Sequence, residues 1–357
     1  MTTTNRRRFL QTATIGSAAM SGMLPCAFGA VRDDSRKARI DPSYLSKGVN
    51  WLARVHRVKD TMRGHWGTAL IAGYFFGLEQ PDLDDEVYQA VEADLKRFIG
   101  SYPGRRNEAG LTRAEMCAPF TKEKPDESLI DGIAEALEAG IDKPRQSGHN
   151  VIFASAAIRA LKAHPNLATP SVIDGIRKHI LQFKHVNPGA GYYGKERGLI
   201  RHDTLKDDEA MFPMYEDLGD MATAVFDALA KETPEYRRSG WGGLIHITNH
   251  AAGLVELAEY GYEELAAKGL AAHHRHLRLW LSLPNVMGDL PRGRPLDYGK
   301  HHPHTPEFWR QDINLQGVNA VHRVKSLYGF GELVKLIRDE DKRKQAEARM
   351  HLIVQRW

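Results

Sequence analysis

The chain has 357 residues, 42% of them hydrophobic and 26% charged, an ordinary balance for a globular protein. No run of eighteen apolar residues occurs, which excludes a membrane-spanning helix. The net charge of +4 falls to +1 once the three arginines among residues 1–30 are set aside, so the body carries no basic surplus for nucleic acid.

Residues 1–30 form a leader. Arg6, Arg7, Phe9 and Leu10 stand in the order Arg-Arg-x-Phe-Leu, followed by a weakly apolar stretch from Thr12 to Ala30 rich in Gly, Ala and Ser. Ala27-Phe28-Gly29 offers a small-x-small processing site. This segment resembles the twin-arginine (Tat) export signal. The resemblance implies a periplasmic or secreted protein that folds before export, with the Tat translocase as a transient partner. Without the leader only Cys117 remains, so no internal disulfide is expected.

Residues 31–41 are charged and aperiodic and are read as a tether to one all-α domain over 42–357. Helices are predicted at 42–57, 65–79, 83–99, 126–139, 148–163, 170–184, 217–232, 242–260, 262–282, 314–328 and 340–356. Asp41-Pro42 and Thr169-Pro170 are helix starts, with proline at the first helical position. Asp82-Leu-Asp-Asp85 matches an acidic string of protonating terpenoid cyclases. It is read here as an N-cap, because it opens a charged helix whose dipole favours acids there.

The helices are of two kinds. Residues 85–99 and 173–184 are amphipathic, whereas 68–76 and 151–158 are small and apolar all round and must be buried on every face. Gly64-His65 and Gly148-His149 open two such apolar helices 84 residues apart, a weak internal repeat. Inner apolar helices alternating with outer amphipathic ones describe two concentric layers. The pattern over 42–356 is similar to the α/α toroids, the architecture of terpenoid cyclases, prenyltransferases and many polysaccharide-processing enzymes. An open helical-repeat array is the alternative.

Three long loops, 100–125, 185–216 and 283–313, are expected on one rim, with Tyr193 and His301, His302 and His304 among their polar residues. The starts of the inner helices carry His65, His149, Asp217, Asp220, His246, His250 and Asn314. Histidine is costly on an apolar helix unless bonded or functional, and it is the natural acid–base group near neutrality. His65, His149, His246 and His250 are therefore candidate acid–base residues, with Asp220 as acidic partner and Tyr193 as platform or proton donor. His246 and His250, four apart, share a helical face and are the candidate metal ligands. His273, His274 and His276 fall on a helix read as outer and are expected on its solvated face.

The leading expectation is an exported lyase or hydrolase acting on a carbohydrate or related small-molecule substrate. The alternatives are isoprenoid chemistry in an apolar cavity around Tyr74, Phe75, Phe76 and Phe153, a metal- or cofactor-containing redox protein, and a secreted binding protein. No nucleotide, serine-hydrolase or zincin motif is present, and no particular cofactor is indicated.

Overall fold

The computed structural model describes residues 39–58, 60–102, 110–202, 213–233, 235–290, 301–310 and 318–354. Residues 1–38, which hold the segment read as a leader and most of the one read as a tether, lie outside them, as do Asn314 and the middle portions of all three long loops. The described chain is mostly helical. In order it forms α1 (Ser43–Val55), α2 (Gly64–Glu79), α3 (Asp85–Ser101), α4 (Arg113–Cys117), α5 (Asp131–Glu138), α6 (His149–Ala163) and α7 (Pro170–Leu181). There follow α8 (Leu218–Ala230), α9 (Gly243–Glu259), α10 (Glu263–Leu281), α11 (Pro306–Arg310), α12 (Val318–Val334), α13 (Glu340–Ala348) and α14 (His351–Val354). Between α7 and α9 lie three short strands, β1 (Ala190–Tyr192), β2 (Leu199–Arg201) and β3 (Ser239–Gly240), paired antiparallel in the order β2-β1-β3. Strands of two or three residues are too short to show alternation, so the sequence gives no sign of them.

Four helices carry the core. α2 packs on α6, α6 on α9, α9 on α12, and α12 on α2, which closes a cycle. α2, α6 and α9 are buried along nearly their whole length, in keeping with their apolar circumference. The remaining helices cover this group: α1 and α3 on α2, α5 and α7 on α6, α8 and α10 on α9, α13 and α14 on α12. The helices predicted at 126–139 and 217–232 are α5 and α8. They precede buried helices α6 and α9, so the repeating unit is cover–core–cover, three helices rather than two. Asp84 caps α3 by accepting the Glu86 N–H at 3.0 Å, the ordinary reading of its acidic string.

Close approach is built into the sequence where α1 meets α2. A Cβ on Gly48 would stand 2.7 Å from the Gly67 carbonyl oxygen, and one on Gly67 would stand 2.8 Å from the Gly48 carbonyl oxygen. Each glycine leaves room for the other's backbone. A buried ion pair then ties α3 to α12, with Arg323 donating through Nε to Asp94 at 2.9 Å. Gly67→Ala is expected to destabilise the protein by about 1–3 kcal/mol through overpacking. Gly132→Ala on α5, whose added Cβ meets only the Arg177 side chain at 3.6 Å, should stabilise by about 0.5–1 kcal/mol. Urea unfolding of the two variants checks this, and equal effects would contradict the packing described.

Candidate metal centre

Each buried helix brings one histidine to the same point. His65 is the second residue of α2, His149 the first of α6, His246 the fourth of α9 and His322 the fifth of α12. Their exposures are 3, 4, 3 and 1%. The Nε2 atoms meet in sequence around the cycle: His149 to His65 at 2.9 Å, His65 to His322 at 3.1 Å, and His322 to His246 at 3.0 Å. Neighbouring ring centroids are 4.5 to 4.8 Å apart, including 4.6 Å from His149 to His246, whereas His65 and His246 stand opposite at 6.0 Å. The arrangement is nearer a square than a tetrahedron, which would make every pair equidistant.

The other ring nitrogens are spoken for. Nδ1 of His65 donates to the Met62 carbonyl at 2.6 Å and Nδ1 of His246 to the Gly242 carbonyl at 2.5 Å, and Nδ1 of His149 donates to the Gln146 carbonyl. An imidazole whose Nδ1–H is held by a carbonyl presents a lone pair at Nε2. The backbone is shaped for these bonds. Gln146, Ser147 and Gly148 have φ of 44°, 58° and 82° before α6, and Trp241, Gly242 and Gly243 have 43°, 72° and 64° before α9. Non-glycine residues in this region cost energy and persist only where the surroundings enforce them.

Two lone pairs 2.9 Å apart make no hydrogen bond. A metal cation among these nitrogens satisfies their lone pairs at a metal–imidazole distance of about 2.0–2.1 Å, and the ligand atoms of His65, His149 and His246, all within 4.8 Å of one another, are close enough to share one. His65, His149 and His246 form the one such cluster found among the described residues. Their surroundings keep them neutral and ready to ligate. Burial, with Lys325 and neighbouring imidazoles adding repulsion, holds His65 and His149 well below the ordinary imidazole range and pushes His246 down to about 3.

Of the residues singled out from sequence, His65, His149 and His246 come together here. His250 does not join them. It lies one turn further along α9, with its Nδ1 3.3 Å from Nδ1 of His276, and its ring fills the space a side chain on Gly148 would need. Tyr193 follows β1 and bonds the Ser282 hydroxyl at 2.8 Å. Asp220 is exposed in the first turn of α8, where its carboxylate accepts the Glu216 N–H at 3.0 Å. Among the aromatics of the isoprenoid reading, Phe153 packs against the rings of His65 and His149, while Phe75 lies beneath the Arg159 guanidinium. Of the loop histidines, His302 bonds the Glu347 carbonyl at 3.2 Å.

The expectation that His273, His274 and His276 are solvated is wrong: all are at most 3% exposed. They form the face that α10 lays on α9 and its surroundings. His276 donates through Nε2 to the Trp241 carbonyl at 2.7 Å, His273 to the Ile247 carbonyl at 3.1 Å and His274 to the Pro213 carbonyl at 3.0 Å. His276 thereby steadies the strained turn whose next carbonyl orients His246. His322 was missed altogether. The predicted helix over 314–328 does contain it, and its place among Val318, Ala320 and Val321 on a buried helix was the available signal.

No protein-family model, curated protein or solved structure matches the chain.

These histidines set an acid limit. An imidazole buried neutral has a folded-state pKa below its unfolded value of 6.5, so below pH 6.5 the unfolded chain takes up protons that the folded one refuses. His246 and His273 titrate at about 3 and His179 and His276 at about 4 when folded. Each therefore withdraws stability as pH falls from 6.5 towards those values, by about 1.4 kcal/mol per pH unit. The melting temperature of metal-free protein should fall steeply from about pH 6.5 downward. A flat profile between about pH 6 and 4.5 would contradict the neutral buried cluster.

Proposed function

We propose that the protein is an exported metalloprotein that holds one divalent transition-metal ion through Nε2 of His65, His149, His246 and His322. The observation that carries the reading is the meeting of four buried imidazole nitrogens, three of them with Nδ1 anchored on backbone carbonyls. Square placement of neutral nitrogen ligands favours copper(II) or nickel(II) over zinc(II), and copper(II) binds such sites most tightly. The centre is buried, and every ligand is neutral. This suits a redox or metal-holding role better than hydrolysis at an open coordination position.

The two-layer α/α toroid is part of the same reading. The closing contact between α12 and α2 supports a ring of four core helices over an open array. The leader supports a periplasmic or secreted location, reached with the ion already enclosed in the folded chain. The carbohydrate lyase or hydrolase reading draws less support, because the histidines face one another and Tyr193 and Asp220 are engaged elsewhere.

Metal analysis and native mass spectrometry of the purified full chain should give one ion per chain. Losing even an outer-sphere partner of a metal ligand costs about 10–100-fold in affinity, so alanine at His65, His149, His246 or His322 should cost at least that much. His250→Ala should retain the ion. Wild-type protein that takes up none of copper, nickel or zinc would overturn the proposal.

A further inference from the structure

Each core helix sends a second residue inward one turn after its histidine: Thr68, Ile152, Asn249 and Lys325, each three positions on. The turn beyond is built of small residues, Ala72, Ser155, Ala156, Ala252, Gly253 and Gly329, and between these layers lies a cavity lined by both. Its volume of about 20 Å³ is room for one or two water-sized guests. Its floor is Glu256 and Tyr328, where a buried network begins. Arg159 pairs there with Glu79, Glu256 and Glu332, and Tyr328 donates to Glu256.

Two polar atoms of the cavity wall stand out. Lys325 Nζ and Thr68 Oγ1 are buried and make no hydrogen bond among the described residues. Lys325 is 2% exposed and has no carboxylate within ion-pair distance among the described residues, where Glu79, Glu256 and Glu332 engage Arg159, Tyr328 and Lys335 instead. Burial alone lowers its pKa to about 7, so a partner of opposite charge would restore the ammonium. The carboxylates of Glu79, Glu256 and Glu332 pair with Arg159 and Lys335 and do not reach Lys325. An ion held by four neutral imidazoles then adds two positive charges with no counter-charge in its ligand set. Buried charge without a counter-ion is strongly disfavoured.

We infer that the metal-loaded protein takes up one small inorganic anion of halide size in this cavity, accepting hydrogen bonds from Lys325 Nζ and Thr68 Oγ1 one helical turn from the metal. The inference rests on the four-histidine metal reading and adds to it an anion that offsets one of the ion's two positive charges. Donors predominate among the unsatisfied groups there, and the space excludes a bulky oxyanion.

The test is equilibrium dialysis of the full chain, metal-free and metal-loaded, against radiolabelled chloride, with bromide and anomalous diffraction to place the ion. The expected result is one chloride per metal-loaded chain, bound at least ten-fold more weakly by metal-free protein. Lys325→Met should weaken chloride at least ten-fold while leaving metal stoichiometry at one. Thr68→Val, which keeps the shape of the side chain, should weaken it several-fold and serves if Lys325→Met does not fold. A metal-loaded chain without chloride overturns the inference and leaves the metal reading standing. Chloride bound equally well by both variants also overturns it, because the anion then sits elsewhere. A chain that takes neither metal nor chloride overturns both.

Discussion

The structure depends on a single constraint: four buried imidazoles are brought together with successive Nε2 atoms about 3 Å apart. The Nε2 lone pairs of His65 and His149, left to themselves, repel, because the Nδ1–H of each is already held by a carbonyl. Their convergence is paid for by the rest of the fold. Helices α2, α6 and α9 all start on the same side, since each histidine lies within the first four residues of its helix. Left-handed turns before α6 and α9 aim the carbonyls of Gln146 and Gly242 at the rings. A second set of histidines, His250, His273 and His276, packs behind the first and holds the Trp241 turn in place.

The interior is layered along the helices. Below the imidazoles come Lys325 and Thr68, then small residues and a cavity, then the Arg159 network with Glu79, Glu256 and Glu332. Apolar packing by Leu70, Phe75, Phe153 and Leu254 surrounds this polar axis, so the charged groups act on one another at low dielectric. A core with so many buried polar groups is poorly explained by stability alone, because hydrophobic replacements of similar volume are often as stable. The metal reading gives the axis a purpose: a cation at one end, a matched cluster of acids and arginine at the other, and a titratable lysine between.

Much of this was legible in the sequence. Helices apolar on every face, such as 68–76 and 151–158, announced a buried inner set, and the Gly-His openings 84 residues apart marked equivalent positions. His246 stood out through its pairing with His250, but the structure brings it to His65 and His149 on other helices. Four-residue spacing puts two rings on one face, but here the ligands come from different helices and cannot be counted along one. His322 lay hidden because no glycine or second histidine marks its place on the predicted helix 314–328 as equivalent to the Gly-His openings of the other core helices. The histidines of α10 misled for the opposite reason: polar residues at inward positions disguise a buried face as a solvated one. The left-handed turns carry little sequence signal, since Gln146, Ser147 and Trp241 are not residues that favour that conformation.

The central claim is that one ion is bound by four histidines and by nothing else in the chain. X-ray absorption at the metal edge of the loaded protein tests it most directly. The account predicts four nitrogen neighbours at about 2.0–2.1 Å, each with the outer-shell scattering of an imidazole ring. Fewer than four imidazoles, or a sulfur or carboxylate oxygen among the protein ligands, would contradict it.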